Sequence, residues 1–199
     1  MKLSATLVMG LVLLQSFVAF AQKQAPFIFT LYGGLFFPSH VGFKDTYQSS
    51  NDLIWGAGGA IPLSEARWSI IGDLAYFRSE AFLDPAQDSL THLEEKIIHA
   101  GLMNKRRVGE SEIFARISVG FNYISIKQTV MSPLSLEQSV EGDKKIGYFG
   151  GIGAEEVLGD GHTALFMDIL YDYRRSHRKE LAGDFGGVRV VVGVQVILF

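Results

Sequence analysis

The chain has 199 residues, and its 18 Lys and Arg against 21 Asp and Glu give a formal net charge of −3. This balance gives no sign of a nucleic-acid-binding protein, and the length suits a single domain. The chain contains no Cys, which excludes disulfide bonds and a lipid-modified N-terminal cysteine.

The first residues have the features of a secretory signal peptide. Lys2 gives a positive start, Leu7 to Leu14 is apolar, and Ala19-Phe20-Ala21 matches a peptidase site. We therefore expect residues 1–21 to be removed and residues 22–199 to form one domain. A retained membrane anchor is the alternative, which the small residues at the cleavage site and the lack of following stop-transfer charges disfavour.

Eight segments with alternating apolar and polar residues follow, and this alternation predicts strands that each have one apolar face. The fourth segment is the weakest, because Glu94, Glu95 and Lys96 interrupt the alternation and a helix over residues 91–102 competes. The predicted strands are Phe27–Phe37, Leu53–Ile61, Arg67–Phe77, Leu93–Met103, Glu112–Lys127, Lys144–Val157, Thr163–Tyr173 and Gly186–Phe199.

The predicted connections alternate in length. Those after the first, third, fifth and seventh strands have about 12–16 residues and the others about 4–8, a pattern typical of outer-membrane barrels with long external loops. No segment after residue 21 has the roughly 18 consecutive apolar residues of a spanning helix, whereas a barrel strand needs only about 9–11 residues.

The last strand shows the alternation most clearly. One row, from Val188 to Leu198, is entirely apolar, and the other contains Arg189, Gly193 and Gln195. Together with the export signal, this predicts an all-β protein, an eight-stranded antiparallel up-and-down transmembrane β-barrel. A water-soluble lipocalin-like barrel is the alternative, because alternation alone does not say which face is inside.

Aromatic residues near the strand ends favour the membrane barrel, since such girdles mark the two edges of the bilayer. The periplasmic end is expected to carry Phe27, Phe29 and Trp68, and the outer end Phe37, Trp55, Tyr76, Tyr123, Tyr148, Tyr171 and Tyr173.

The faces opposite the apolar rows collect charged residues, which we expect in the lumen because an Arg or Lys facing lipid would cost about 2–4 kcal/mol. Mixed charges can pair across a narrow barrel and fill it. A water path or a proton relay is the alternative. The predicted lumen ion-pair network consists of Asp73, Glu112, Arg116, Lys145, Glu155, Asp168, Asp172 and Arg189.

No catalytic or metal-binding pattern stands out, and neither a cofactor nor a metal is predicted. The five His residues form no metal motif, and there is no G-x-S-x-G nucleophile elbow. For an enzyme that modifies lipid, Ser125 and His177 are the only candidates. Lys105-Arg106-Arg107 is expected to be a turn facing water. The basic loop Arg174–Lys179 could contact lipopolysaccharide phosphates, or simply face water.

These features resemble the small eight-stranded outer-membrane barrels of the OmpA transmembrane-domain, OmpX and OmpW-like group. The resemblance rests on the signal peptide, the eight segments, the loop pattern and the last strand, VRVVVGVQVILF. It implies that Phe199 is the aromatic terminal residue recognised by the barrel-assembly machinery, although Phe199 is out of phase with the apolar row. Because this likeness is architectural, it leaves the function open.

The favoured function is therefore a non-enzymatic outer-membrane barrel that is structural, adhesive or docks a partner protein through its external loops. Its expected partners are outer-membrane lipid and lipopolysaccharide, and the assembly machinery during biogenesis. A lipid- or lipopolysaccharide-modifying enzyme and a narrow pore for small solutes are the alternatives.

Overall fold

The structure is a computed structural model that describes residues 26–39, 43–47, 51–63, 67–84, 89–132, 135–142, 146–159, 161–176 and 183–198. The predicted signal peptide and Phe199 lie outside the described residues. These ranges contain nine strands and one short helix. In chain order they are β1 (Phe27–Pro38), α1 (Phe43–Tyr47), β2 (Asp52–Pro62), β3 (Trp68–Asp84), β4 (Ser89–Arg107), β5 (Ile113–Ser132), β6 (Ser135–Glu141), β7 (Ile146–Val157), β8 (Thr163–Ser176) and β9 (Gly183–Leu198).

Eight of these strands, β1–β5 and β7–β9, close into an all-antiparallel barrel in which neighbours in the chain are neighbours in space. The barrel closes where β1 pairs with β9, from Phe27 opposite Leu198 to Pro38 opposite Gly187. Closure leaves no open edge, and each unpaired backbone group in hydrocarbon would cost several kcal/mol. The predicted eight-stranded up-and-down barrel is confirmed.

The barrel has apolar residues outside and charged residues inside. Trp55 is 62% exposed and Ile146 is 72% exposed on the outer surface, whereas Arg189 is 1% exposed and Asp172 is fully buried. On β9, the predicted apolar row faces outward and Arg189 and Gln195 face the lumen. This is the polarity of a barrel that faces lipid, and it excludes the lipocalin-like alternative.

Aromatic pairs on the outer surface mark one edge of the apolar band. The rings of Trp55 and Tyr76 are 5.5 Å apart, and those of Tyr148 and Tyr173 are 4.9 Å apart. The outward face of β4 carries Lys96 at this girdle, opposite Tyr76, and Glu94 beyond it, so the membrane-spanning part of β4 begins at about residue 98. No helix in the described ranges is long and apolar enough to cross a bilayer.

Several strands continue beyond the girdle, where long loops were predicted. Most of residues 78–91 is strand, because β3 runs to Asp84 and β4 starts at Ser89. Likewise β5 runs to Ser132 and β6 folds back on it. The loop predictions for these two regions are wrong, because the alternation of buried and exposed residues continues above the membrane. We call this part of the molecule, together with α1, the outer extension.

The uncertain fourth strand is confirmed, and its helical alternative is wrong. β4 pairs along its length with β3 on one side and with β5 on the other. Glu94 and Lys96 interrupt the apolar row because this part of the strand has already left the membrane, and Glu95 points inward.

Inside the outer extension the barrel is filled by apolar side chains. Helix α1 contributes Phe43 and Tyr47, and the Phe43 ring lies 6.1 Å from the Phe77 ring of β3. Burial raises the pKa of the Tyr47 hydroxyl. We call this cluster the outer plug; it consists of Phe36, Phe43, Tyr47, Ile54, Ala75, Phe77, Leu93, Ile97, Ile124, Ile126 and Phe185.

Glycines on the inner face make room for large side chains from neighbouring strands. A Cβ added at Gly56 would collide with the Tyr32 ring, and one added at Gly193 would collide with the Phe166 ring. At Gly153 of β7, an added Cβ would overlap the Asp168 carboxylate and the backbone oxygen of Met167. The glycines are therefore part of the packing of a narrow lumen.

We predict that Gly153→Ala lowers the free energy of unfolding by about 1–3 kcal/mol, because its Cβ meets backbone that cannot move aside. Gly150→Ala, on the same strand, is the matched control, since its Cβ would meet only the Ser118 oxygen at 3.9 Å. Urea unfolding in lipid, followed by the gel-mobility difference between folded and unfolded barrels, gives the comparison. Equal stability of the two variants would contradict the packing described here.

Candidate functional site

The charged residues of the lumen form two clusters at different heights. The one nearer the outer plug is centred on His99, and we call it the histidine cluster: Tyr32, Asp73, His99, Asn122, Asp172 and Arg189. The other lies nearer the end with the short turns, and we call it the lysine cluster: Lys105, Arg116, Glu155, Asp168 and Gln195.

In the histidine cluster the His99 ring lies between two carboxylates. Its Nδ1 is 2.9 Å from Asp73 Oδ1 and its Nε2 is 2.5 Å from Asp172 Oδ1. A neutral imidazole has only one N–H to donate. Both contacts are therefore hydrogen bonds only if His99 is an imidazolium or if one of the carboxyl groups keeps a proton.

Arg189 completes the pairing of charge in this cluster. Its Nε lies 2.8 Å from Asp172 Oδ2, and its Nη1 donates to the Tyr32 hydroxyl at 3.3 Å. The Tyr32 hydroxyl donates in turn to Asp73 Oδ1 at 2.6 Å, and Asn122 Nδ2 donates to Asp172 Oδ1 at 3.0 Å. Each charge of this cluster is therefore met by an opposite charge or a hydrogen bond.

The lysine cluster is a second, separately compensated group. Lys105 Nζ is 2.5 Å from Glu155 Oε2, and Arg116 bridges Glu155 and Asp168 at 3.2 and 3.1 Å. The Arg116 guanidinium also lies 4.5 Å from the centre of the Phe166 ring. Two cations and two carboxylates give this cluster no net charge when all four are ionised.

Between the two clusters is a cavity of about 60 Å³, lined by residues of both. Arg116 Nε and Asp168 Oδ1 have no hydrogen-bond partner among the described residues. A space of this size accommodates only a few water molecules. The spanning part of the lumen is thus a stack of charged side chains with one small gap.

Six of the eight residues predicted for the lumen lie in these clusters: Asp73, Arg116, Glu155, Asp168, Asp172 and Arg189. Glu112 does not, and its placement in the lumen is wrong. It lies in the turn before β5, where it pairs with Arg107 in water at 2.8 Å. Glu112 belongs to the turn because β5 begins one residue later, at Ile113. Lys145 lies outside the described residues.

Five members of the clusters are absent from the predicted network: Tyr32, His99, Lys105, Asn122 and Gln195. Lys105 was assigned to a turn facing water, but β4 reaches Arg107 and turns Lys105 inward. His99 was left out because the strand that carries it was uncertain. Tyr32, Asn122 and Gln195 carry no charge and therefore do not belong to a set predicted from charged residues. The alternation of His99, Gly101, Met103 and Lys105 along β4 is the signal that places the first and last of these in the lumen.

The basic loop is not a single solvated patch. Arg174 is 1% exposed and faces the lumen, while Arg175 is exposed on β8. The region 177–179 lies outside the described residues, and the loop itself is shorter than expected because β8 runs to Ser176. The pairing of Ser125 with His177 is untested, and Ser125 itself is half-buried on the outward side of β5. Among the described residues, no three His, Asp or Glu side chains are grouped to hold a metal ion.

Comparisons with known proteins agree with the fold. No protein-family model matches the chain, and no curated protein matches it in sequence. Among solved structures, Neisserial surface protein A (NspA) is 12% identical with a TM-score of 0.59, covering 86% of this chain and 96% of that one. Ail, the attachment invasion locus protein of Yersinia pestis, in complex with the heparin analogue sucrose octasulfate, is 14% identical with a TM-score of 0.56, covering 86% and 99%.

The N-terminal β-barrel domain of Pseudomonas aeruginosa OprF is 11% identical with a TM-score of 0.51, covering 88% of this chain and 98% of that domain. The chain thus has the fold of the small eight-stranded outer-membrane β-barrels. At these identities the similarity establishes architecture alone.

We predict that Asp172→Asn costs about 3–5 kcal/mol of stability, because it removes the carboxylate that compensates a fully buried arginine. Glu112→Gln is the control: it breaks the exposed pair with Arg107 and should cost less than about 1 kcal/mol. Urea unfolding of both variants in the same lipid measures the difference. Similar losses in the two variants would show that the buried pair does not govern stability.

Proposed function

We propose that this protein is a non-conducting, non-enzymatic outer-membrane barrel whose working surface is the outer extension. The single observation that carries the proposal is the filling of the lumen. From one end to the other, the described side chains form the lysine cluster, a small cavity, the histidine cluster and the outer plug.

This filling speaks against a solute pore. Ions or nutrients would have to pass two groups of paired charges and then an apolar layer in which Phe36, Ala75 and Ile97 are completely buried. Breaking a buried ion pair leaves an uncompensated charge, which is strongly unfavourable. The gap between the clusters has a volume of only about 60 Å³.

The outside of the outer extension is where a partner could bind. At the aromatic girdle and above it, Lys96, Arg78 and Lys127 are exposed on β4, β3 and β5. Glu94 lies between Arg78 and Lys127, and Glu80 forms an ion pair with Arg78 at 2.5 Å. Cations at this height are suitably placed for the phosphates of lipopolysaccharide, through charge-assisted hydrogen bonds. The lipid partner proposed from the sequence is therefore retained, now with these residues and not the buried Arg174.

A sulfated glycan is a reasonable first ligand to test. The Ail structure contains a heparin analogue, which shows that a barrel of this architecture can hold a polyanion of this kind. The exposed cations of the outer extension supply the complementary charge here. Adhesion to anionic surface polymers is thus one form that the proposed docking role can take.

The export and assembly signals remain part of the proposal. We propose that residues 1–21 direct export and are removed, and that Phe199 serves the barrel-assembly machinery. An aromatic girdle at one edge and an apolar outer face support insertion into the outer membrane.

In planar bilayers we expect the purified barrel to show no steady conductance at neutral pH, because the lumen is filled. The gel-mobility shift between unboiled and boiled samples of the same preparation serves as the control for insertion. Steady channels from a fully folded sample would overturn the closed-barrel proposal.

We also expect Lys96→Glu combined with Lys127→Glu to weaken retention on lipopolysaccharide-coated or heparin-coated surfaces at least several-fold, since both cations face outward at the girdle or above it. The matched control is Glu80→Gln combined with Glu94→Gln, which removes neighbouring negative charge and should leave or increase retention. Unchanged binding in the lysine variant would place the docking surface elsewhere.

A further inference from the structure

The outer plug contains one carboxyl group that neither charged cluster uses. Glu95 of β4 is fully buried, and neither of its carboxyl oxygens has a hydrogen-bond partner among the described residues. Its cross-strand neighbours are Phe77 on β3 and Ile126 on β5, and the next inward side chains of its own strand are Leu93 and Ile97. A carboxyl group is therefore embedded in apolar packing.

Glu95 lies outside the lipid-facing part of the barrel. The residues on either side of it, Glu94 and Lys96, face outward above the girdle and at it, and the apolar outward row of β4 begins only at Ile98. Its proton is therefore exchanged with the water above the membrane whenever the plug opens.

The groups that act on Glu95 come from two other elements. From β8, Asp172 opposes its negative charge and Arg174 favours it; from α1, the Tyr47 hydroxyl is influenced by it. Burial, with a smaller contribution from Asp172, raises the pKa of Glu95 to about 8. At neutral pH the group is therefore an uncharged carboxylic acid, which suits its apolar surroundings.

The same apolar packing holds helix α1 in the outer plug. Phe43 and Tyr47 stack with ring centres 4.7 Å apart, and the Phe43 ring faces Phe77, the cross-strand neighbour of Glu95. Anything that makes water enter the plug beside Glu95 therefore acts on the layer to which α1 is attached.

We propose that Glu95 is a proton-controlled latch: the protonated acid keeps the outer plug dry and α1 seated, and loss of the proton to solvent admits water and releases α1. The proposal rests on the closed barrel described above. It concerns only the outer plug, because the charged clusters below it continue to fill the membrane-spanning lumen.

The direction of the pH effect follows from the raised pKa. In the unfolded chain the carboxyl ionises near its ordinary value of 4.5, whereas in the native plug it keeps its proton up to about pH 8. The stability that Glu95 contributes is therefore fully present in acid and declines as the pH rises from about 4.5 to 8. Above about pH 8 the native carboxyl is itself ionised.

The lack of cysteine in the chain allows a direct test. Ala75→Cys places one thiol in the outer plug, at a fully buried position, and Ser139→Cys places one on the exposed face of β6. Maleimide labelling rates of both are measured in nanodiscs between pH 6.5 and 9.5, in the native background and with Glu95→Gln. Comparing backgrounds at the same cysteine cancels the pH dependence of the thiol itself.

We expect the Ala75→Cys rate to rise about thirtyfold more with Glu95 present than with Glu95→Gln between pH 6.5 and 9.5, since for a pKa of about 8 the charged fraction of the acid rises from about 3% to about 97% over this range. The Ser139→Cys rate should be the same in both backgrounds. Glu95→Leu is the second variant. Its side chain fills the same space but has no group that titrates, so the Ala75→Cys labelling rate should depend on pH as it does with Glu95→Gln.

The latch would be overturned if the labelling rate of Ala75→Cys depended on pH in the same way with Glu95 and with Glu95→Gln. Rapid labelling already at pH 6.5 would also overturn it. Conductance separates this proposal from the first. A barrel that stays closed but shows no Glu95-dependent labelling refutes the latch alone, whereas steady channels at neutral pH refute the closed barrel.

Discussion

The Arg189 guanidinium, buried in the middle of the barrel, constrains the rest of the structure. Its neighbours come from around the cylinder: the histidine cluster takes one side chain each from β1, β3, β4, β5, β8 and β9. A strand that slipped by one residue would turn its member of the cluster toward lipid and leave a charge in the lumen without a partner. Satisfying one arginine therefore fixes the register of six of the eight barrel strands.

The same constraint underlies the proposal that the barrel is closed. A barrel of eight strands has an interior just wide enough for side chains. Once charges are placed there, they must be paired by other side chains, which occupy the remaining space. The glycines opposite Tyr32 and Phe166 show how little is left, because even one added methyl group would collide. The proposed function therefore places the working surface in the part of the chain outside the membrane.

Alternation in the sequence was sufficient to predict the strands and most of the lumen charges, whereas the polarity of the barrel also needed the export signal, the loop pattern and the aromatic residues at the strand ends. It worked for Asp168 and Asp172 because an apolar outward row runs unbroken through their strand. It did less well where strands leave the bilayer. The outward side chains there, such as Arg78 and Glu80, are polar, so the pattern predicts a loop although the strand pairing continues.

The remaining errors have local causes. Glu112 and Lys105 lie at the ends of neighbouring strands, where a shift of the boundary by one or a few residues decides whether a side chain is inside or in water. Contacts between distant residues, such as His99 with Asp172, cannot be derived from alternation at all, because they depend on how the cylinder curves. The apolar environment of Glu95 belongs to this class, since it is made by three strands and a helix.

The inner face of β4 is polar at Lys105 and His99 but apolar at Ile97 and Leu93. The outer face shows the reverse, since it is apolar from Ile98 onward and polar at Lys96 and Glu94. From Ile98 onward, β4 therefore has the polarity of a strand in lipid, with its apolar face outside. Before Ile98 it has the polarity of a strand in a water-soluble protein, with its apolar face inside. The position at which the two faces exchange polarity thus indicates where the strand leaves the bilayer. The average hydrophobicity of one face of such a strand describes neither part, because each face is apolar in one part and polar in the other.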